Sequence, residues 1–444
     1  MDPNKTQLTN DPHRTQMIGD PNRTQAMQGM PSRGLEVEVI AGRPCALANS
    51  PAREQFLVNF KGVDGAFGGA RTPLNLCLVI DRSGSMEGEP LDYVKKACAY
   101  VVDLLSPEDV LSIVTFEEVV DVLMPPRKVI NRDLIKENIN RIVPGNTTNL
   151  YDGLSLAMQQ AMSTNESGFI TRLVVFTDGE PTAGIRDYNA LVQHVGEIKA
   201  RGISSTFLGF GYEYNEELLA GMAKRSGGNY YFISRPELIP EVFRTELDKL
   251  MTMAARNLKL NLKTARWCAL RQVYGHDVPF GERMVEINLA DIEKGTDLGL
   301  AVDFEFPNHP LGKYRVAAGR LAYDDAITGK AESVDIDVVL EFTADEAKCS
   351  LPQNPIVARS IEVSLASRVV EKTMMGLKAG QITTAMAVAE LQKTQMLLAQ
   401  DGRNEEALQV TQAIRDLQSG NAQQVEKTLI GTVTSLDQGK KSHE

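Results

Sequence analysis

The stretch Asp81-Arg82-Ser83-Gly84-Ser85 decides how this sequence is interpreted, and it directly follows the largely apolar run from Leu74 to Ile80. Such a run without alternation predicts a strand buried on both faces, as in a parallel sheet covered by helices. A helix is predicted to open near Pro90, so the chain turns between the two. In such sheets ligands bind beyond the carboxyl ends of the strands. The turn offers one carboxylate and two hydroxyls, hard oxygens that suit Mg²⁺, Mn²⁺ or Ca²⁺.

The spacing of these three polar residues resembles the DxSxS signature of the von Willebrand factor A domain, which carries a metal-ion-dependent adhesion site. DxSxS alone is also typical of a polar turn, but two later segments extend the resemblance. Gly145 to Leu154 is similar to the family's threonine loop, and Leu173 to Gly179 to its aspartate loop. In such a domain the sheet is doubly wound and mostly parallel.

The resemblance also implies which residues hold the metal. They are Asp81, Ser83, Ser85, Thr148 and Asp178. Alignment on the following Asn-Leu favours Thr148 over Thr147, which is the alternative ligand. Because three of the five ligands are neutral hydroxyls, the cation stays electrophilic and needs one more anionic oxygen. In this family the missing oxygen comes from a Glu or Asp of a partner protein, which implies a metal-dependent adaptor and no catalysis.

Composition sets limits on the rest of the chain. At 444 residues two or three domains are expected, since single cores stop growing at about 250 to 300 residues. The sequence has no apolar run long enough to predict a membrane span, and we recognise no signal peptide at the N-terminus. The five cysteines are scattered, which favours reduced thiols and a cytoplasmic location. A formal net charge of −11 weighs against nucleic acid as a main partner.

The pattern of elements predicts how the domains are arranged. Strands and helices alternate over residues 73–254, which predicts the doubly wound α/β domain. Short alternating strands in 35–72 and 255–345 predict an antiparallel β-sandwich into which that domain is inserted, although two separate small sheets are also possible. Residues 353–436 predict a small helical bundle, and 437–444 a frayed tail.

The first 34 residues contain a repeat with a period of nine. The unit DPxxTQ occurs three times and carries Thr6, Thr15 and Thr24 behind a basic residue. The arm has few apolar residues, so we expect it to be disordered. Exposed threonines of this kind resemble Ser/Thr kinase substrates, and once phosphorylated they would resemble the ligands of forkhead-associated domains. The alternative is a polar leader whose repetition is accidental.

Two other functions fit parts of the pattern. A Mg²⁺-dependent phosphotransferase or hydrolase also places an Asp after its first strand, but a second Asp is expected where Ser83 stands. An extracellular adhesin also uses this domain, but it usually has a signal peptide and disulfides. We therefore expect an intracellular, bacterial-type multidomain protein that acts as an adaptor.

Overall fold

The fold is described from a computed structural model. The described residues are 33–63, 72–164, 169–178, 180–210, 215–233, 235–276, 278–420 and 422–442. The threonine repeats of the N-terminal arm, with Thr6, Thr15 and Thr24, lie outside them. Within the described part, no helix combines the length and the apolar character needed to cross a membrane.

The chain enters the structure through three strands that belong to two different sheets. These strands are β1 (Leu35–Ala41), β2 (Cys45–Leu47) and β3 (Ala52–Gly62). β1 and β3 pair antiparallel, with Val37 opposite Phe60. In β3 the side chains of Phe56, Val58 and Phe60 are buried, as expected for one face of a sandwich sheet.

The second part of the chain builds an α/β domain around a six-stranded sheet. Its strands are β4 (Leu74–Asp81), β5 (Val110–Phe116), β6 (Val120–Lys128), β7 (Ile170–Thr177), β8 (Ser204–Phe210) and β9 (Tyr230–Ile233). They lie in the order β6-β5-β4-β7-β8-β9, and only β6 runs antiparallel to its neighbour. The sequence pattern does not predict the antiparallel edge strand β6.

Helices cover both faces of this sheet. They are α1 (Glu89–Leu104), α2 (Arg132–Asn140), α3 (Leu150–Met162), α4 (Tyr188–Ala200), α5 (Glu216–Ser226) and α6 (Ile239–Met251). Alternate residues of β4 serve the two cores: Leu78 and Ile80 pack with α1 and α6, while Cys77 and Val79 pack with α3, α4 and α5. Every residue of β4 is buried, which confirms the doubly wound sheet.

After α6 the chain returns to the sandwich with Thr252 as the single intervening residue. The returning strands are β10 (Met253–Thr264), β11 (Ala269–Val273), β12 (Met284–Asn288), β13 (Ile292–Glu293), β14 (Thr296–Phe306), β15 (Gly312–Asp325) and β16 (Ala331–Thr343). One sheet has the order β1-β3-β14-β11 and the other β12-β10-β15-β16-β2, with β13 beside β10. The early strands thus join the late ones, and the α/β domain is an insertion in the sandwich.

Helices make up most of the remainder. They are α7 (Glu346–Cys349), α8 (Pro355–Lys378), α9 (Thr384–Gln400), α10 (Asn404–Gln418) and α11 (Ala422–Asp437). The last four share a core. α8 also buries Val357 and Ile361 against Leu57 and Ala301 of the sandwich, and α11 packs against α5 and β9 of the α/β domain. The bundle therefore contacts both other parts of the molecule.

The expected frayed tail at 437–444 needs a correction. Lys440–Ser442 form a short strand, β17, that pairs antiparallel with β14, with Lys440 opposite Leu298. Lys440 Nζ also lies 2.9 Å from Glu293 Oε1. No apolar pattern marks this segment in the sequence, because the pairing uses backbone groups and a charged side chain.

A buried ion network joins the α/β domain to the sandwich at the amino ends of the parallel strands. Arg172 of β7 lies 3.5 Å from Glu246 of α6 and 3.4 Å from Asp291, which precedes β13. Lys199 of α4 also contacts Asp291, at 3.5 Å. Burial by itself raises the pKa of Asp291, but the charges of Lys199 and Arg172 outweigh it and lower that pKa to about 2.

Glu246 is the central acceptor within the α/β domain. Its carboxylate is fully buried and accepts hydrogen bonds from Thr206 of β8, from Asn229 at 2.7 Å and from Tyr231 of β9 at 2.9 Å. The last helix of the domain is therefore fixed to the sheet by polar as well as apolar contacts.

Candidate metal centre

The first loop of the site follows β4, and it is shaped by Asp81. Asp81 has no exposed surface. One of its carboxylate oxygens accepts a hydrogen bond from the backbone N–H of Ser83 at 2.9 Å, and the other accepts from the Thr177 hydroxyl at 2.7 Å. A 3₁₀ turn over Gly84–Met86 follows directly. Asp81 is thus held in one orientation below the turn that presents the two serines.

The two serines meet the aspartate loop. The Ser83 and Ser85 hydroxyls lie 3.2 Å apart, and the Ser85 hydroxyl donates to Asp178 Oδ1 at 2.8 Å. Asp178 follows β7, which is the parallel neighbour of β4, so the two carboxylates stand at the same edge of the sheet. Asp81, Ser83 and Asp178 are each less than one-tenth exposed. Residues from two distant loops therefore converge on one small region.

The threonine loop is connected to both of the other loops through backbone groups. The Gly84 N–H donates to the Asn146 carbonyl at 3.2 Å, which connects it to the first loop. On the other side, Thr148 N–H donates to the Thr182 hydroxyl at 2.9 Å, and Thr182 N–H donates back to the Thr148 carbonyl at 3.0 Å. These contacts place Thr148 between the serine loop and the loop that follows Asp178.

The two threonine candidates have different environments. Thr148 is buried, whereas Thr147 is partly exposed. The Thr147 hydroxyl oxygen is nevertheless buried, and among the described residues it has no hydrogen-bond partner. Thr148 and Thr147 both stay candidate ligands, and the buried Thr147 hydroxyl is without a partner among the described residues.

Two supporting residues, Thr177 and Glu117, are absent from the set that the sequence predicts. Thr177 directly precedes Asp178 and orients Asp81, so its position at the strand end was an available signal. Glu117, after β5, forms an ion pair with Arg82 at 3.1 Å and accepts from the Asn146 N–H at 3.2 Å. No local pattern identifies Glu117, because its partners are far away in the sequence.

The electrostatics of the site fit a divalent cation. Burial raises the pKa of the Asp81 carboxyl to about 7, against hydrogen bonds from Thr177 and Ser83 that lower it, and the charge of Asp178 raises it further. A bound dication would offset both effects. The donors are carboxylate and hydroxyl oxygens, which suit Mg²⁺, Mn²⁺ or Ca²⁺. Within the described residues no cluster of three or more His, Cys, Asp or Glu forms a metal site, and this candidate set contains only two of them.

Comparison with known proteins identifies the domain that carries these loops. The family model of the von Willebrand factor type A domain matches residues 75–245. The chain contains a von Willebrand factor type A (VWA) domain. The matched segment holds all five candidate ligands and nearly the whole six-stranded sheet. It does not include the sandwich or the helical bundle.

Relatives and solved structures extend the similarity beyond the VWA domain. The uncharacterized protein sll0103 of Synechocystis sp. is 27% identical over 270 residues, which are 59% of this chain and 64% of the relative. A von Willebrand factor type A protein from Catenulispora acidiphila superposes with a TM-score of 0.68 at 16% identity, covering 87% of this chain and 91% of that one. The ArnB paralog VWA2 from Sulfolobus acidocaldarius gives 0.62 at 18% identity, with 89% and 98% covered. The two structures share the fold with most of this chain.

Proposed function

We propose that the VWA domain binds a partner protein through a divalent cation held by Asp81, Ser83, Ser85, Thr148 and Asp178. VWA domains typically mediate protein–protein interaction through a metal ion. The observation that carries the proposal is the contact between Ser85 and Asp178 at 2.8 Å, which brings together two loops 93 residues apart above the buried Asp81. A Glu or Asp side chain of the partner would supply the remaining anionic oxygen.

Mg²⁺ is the proposed cation, with Mn²⁺ or Ca²⁺ as alternatives that use the same oxygens. The chain's own residues would hold it through hydroxyls and two carboxylates, and the cation would attract the partner's carboxylate. A cytoplasmic location accords with the five free cysteines, four of which are buried. Binding of this kind requires no proton transfer or bond cleavage by the protein.

An enzymatic role has weaker support from the geometry. Ser155 and His194 lie 3.0 Å apart, but the Ser155 hydroxyl also bonds the Tyr151 carbonyl of its own helix at 2.9 Å. His194 is buried and stacks on Tyr151, and burial lowers its pKa. These contacts join α3 to α4, so we assign them to helix packing.

The N-terminal arm suggests how the adaptor is regulated. We propose that a Ser/Thr kinase phosphorylates Thr6, Thr15 and Thr24, and that a forkhead-associated domain then binds the arm. Support comes from three DPxxTQ units in fixed register. Each phosphate adds about −1.5 to −2 charges, which suits an Arg-lined pocket. Thr9 lies in the same arm outside the units, so Thr9→Ala is the matched control for replacing the three repeat threonines by alanine.

The metal-dependent function is tested by affinity capture with the full-length chain from native lysate, in Mg²⁺ and in chelator. We expect one or more proteins to be retained only with the cation and to be lost with Asp81→Ala. Asp335→Ala is the control, because Asp335 is an exposed carboxylate whose partner Arg320 lies 4.0 Å away. Retention that is equal with chelator, or unchanged by Asp81→Ala, would contradict the proposal.

A further inference from the structure

Two cysteines that are far apart in the sequence meet at the edge of the sandwich. Cys45 opens β2, Cys349 ends α7, and their sulfur atoms lie 3.3 Å apart. Both are free thiols. Cys45 is completely buried, whereas Cys349 is partly exposed. Atoms separated by about 3 to 3.5 Å are already at the distance from which a bond-forming attack begins.

The surrounding contacts hold the two thiols in this position. Cys45 lies opposite Glu341 in the parallel pairing of β2 with β16. Glu341 in turn forms an ion pair with Lys348 at 3.1 Å, and Lys348 is the residue before Cys349. Asp345 caps α7 by accepting from the Lys348 N–H at 3.2 Å. The helix is therefore attached to the same strand that positions Cys45.

We infer that Cys45 and Cys349 form a reversible intramolecular disulfide when the chain meets a low-molecular-weight disulfide such as oxidised glutathione. The Cys349 thiolate attacks one glutathione sulfur, and the other glutathione leaves and takes up a proton. The Cys45 sulfur then attacks Cys349, transfers its proton and releases the second glutathione. Two protein thiols are oxidised, and one glutathione disulfide is reduced to two glutathione molecules.

The order of these steps follows from exposure. Cys349 is accessible to a small disulfide, whereas Cys45 is covered and its pKa is raised to about 12, mainly by burial. Cys45 is thus a poor first nucleophile but stands next to the mixed disulfide once this has formed. Cys77, Cys98 and Cys268 are all buried, so the same reagent reaches them only after unfolding.

The bond would act on the connection to the helical bundle. Residues 350–354 lead from α7 to α8 and are attached to the sandwich by the Gln353 side chain, 2.7 Å from Gln55, and by the Asn354 N–H, 2.7 Å from the Gly42 carbonyl. A disulfide would add a covalent attachment immediately before these bonds. Oxidation would therefore fix α7 and the start of the connection to β2, and reduction would leave them held by noncovalent contacts.

The test exposes the native full-length chain to oxidised glutathione, removes the reagent and counts free thiols in denaturant, together with intact mass. We expect the count to fall from five to three without a glutathione adduct, and a reducing agent to restore five. Cys45→Ser should instead retain one glutathione on Cys349, because the second thiol is missing. Cys349→Ser should remain unmodified, and the control Cys268→Ser should lose two thiols like the parent.

Two results would overturn the inference. One is a parent chain that keeps five thiols after equilibration, and the other is a stable glutathione adduct on the parent in place of the intramolecular bond. Protease cleavage within 350–354 gives a second measurement, and we expect it to be slower in the oxidised parent but unchanged in Cys45→Ser. Chelator should not alter the thiol count, so the result is independent of the metal site.

Discussion

The buried carboxylates at the two ends of the VWA sheet have different partners. At the amino ends of the strands, Glu246 and Asp291 face Arg172 and Lys199, so their charge is balanced by the protein. At the carboxyl ends, Asp81 accepts from the Thr177 hydroxyl and the Ser83 N–H, neutral donors that orient it without balancing its charge. The pKa of Asp291 falls to about 2, whereas that of Asp81 rises to about 7. The balanced carboxylates at the amino ends stabilise the fold, and the unbalanced Asp81 at the carboxyl ends is suited to a cation from outside.

The largest expected effect comes from removing charge at the balanced end. Asp291→Asn removes the carboxylate that the buried Arg172 shares with the partly buried Lys199, and breaking a buried ion pair from one side costs about 3 to 5 kcal/mol. Urea unfolding followed by circular dichroism should show this loss of unfolding free energy. The control Asp335→Asn removes an exposed carboxylate and should cost less than about 1 kcal/mol. Equal effects of the two substitutions would remove the distinction between the ends.

At the carboxyl ends of the strands, which we call the unbalanced end, removing the charge of Asp81 should not lower the unfolding free energy when no metal is bound. A cation at about 100 times its dissociation constant should stabilise the parent chain by about 2.7 kcal/mol, and Asp81→Asn should abolish that gain. In chelator the same variant should be as stable as the parent or more stable, because it removes a buried charge that the protein does not balance. Thermal unfolding with Mg²⁺ and with chelator measures both effects. A large loss of stability in chelator would make Asp81 a structural residue instead.

Acid should weaken the balanced end over a defined range of pH. The folded pKa of Asp291 is about 2, below the value of about 3.9 for an unfolded aspartate, so its charge stabilises the fold above pH 4. That contribution, about 2 to 3 kcal/mol, is lost as the pH falls towards 2. The difference in unfolding free energy between the parent and Asp291→Asn should therefore shrink between pH 4 and pH 2. A difference that stays constant would show that the charge of Asp291 is not what stabilises the junction.

The smallest expected effect is the difference in cation affinity between variants of the two candidate threonines. Thr148→Val should weaken cation binding about tenfold, equivalent to about 1.4 kcal/mol, because it removes one neutral ligand while keeping the shape of the side chain. Thr147→Val should change it less than about twofold if its hydroxyl does not reach the cation. Calorimetric titration of both variants with Mn²⁺ and Mg²⁺ gives the comparison. The reverse order would assign the ligand to Thr147.

The sequence predicts the unbalanced end much better than the balanced one. Asp81, Ser83 and Ser85 follow one uninterrupted buried strand, and Asp178 follows the next strand in the sheet, so local pattern and parallel pairing bring them together. Nothing local marks Arg172, Glu246 and Asp291, since each looks like an ordinary charge until tertiary structure buries it. Their contacts span the boundary between two domains.

The sequence pattern does not predict β6, β2 or β17, and the physical reason is the same for all three. β6 includes Pro125 and Pro126 and ends in Arg127 and Lys128, so it lacks the composition of a strand and is formed through pairing along β5. β2 is three residues long, and β17 is Lys440–Ser442. In each case the neighbouring strand supplies the hydrogen bonds, and side-chain propensity contributes little.

Because the VWA domain is inserted between β3 and β14, these two paired strands are synthesised at different times. β3 pairs along its length with β14, and the Asn59 side chain donates a hydrogen bond to Asp297, which lies 238 residues later. At about 5 to 20 residues per second, a ribosome makes β14 roughly 12 to 48 seconds after β3. During that interval the backbone edge of β3 has no β14 to pair with, and its apolar side chains Phe56, Val58 and Phe60 lack the completed sandwich. The VWA domain can already fold in this time. A chaperone that covers β1 and β3 during translation would therefore have a defined window in which to act.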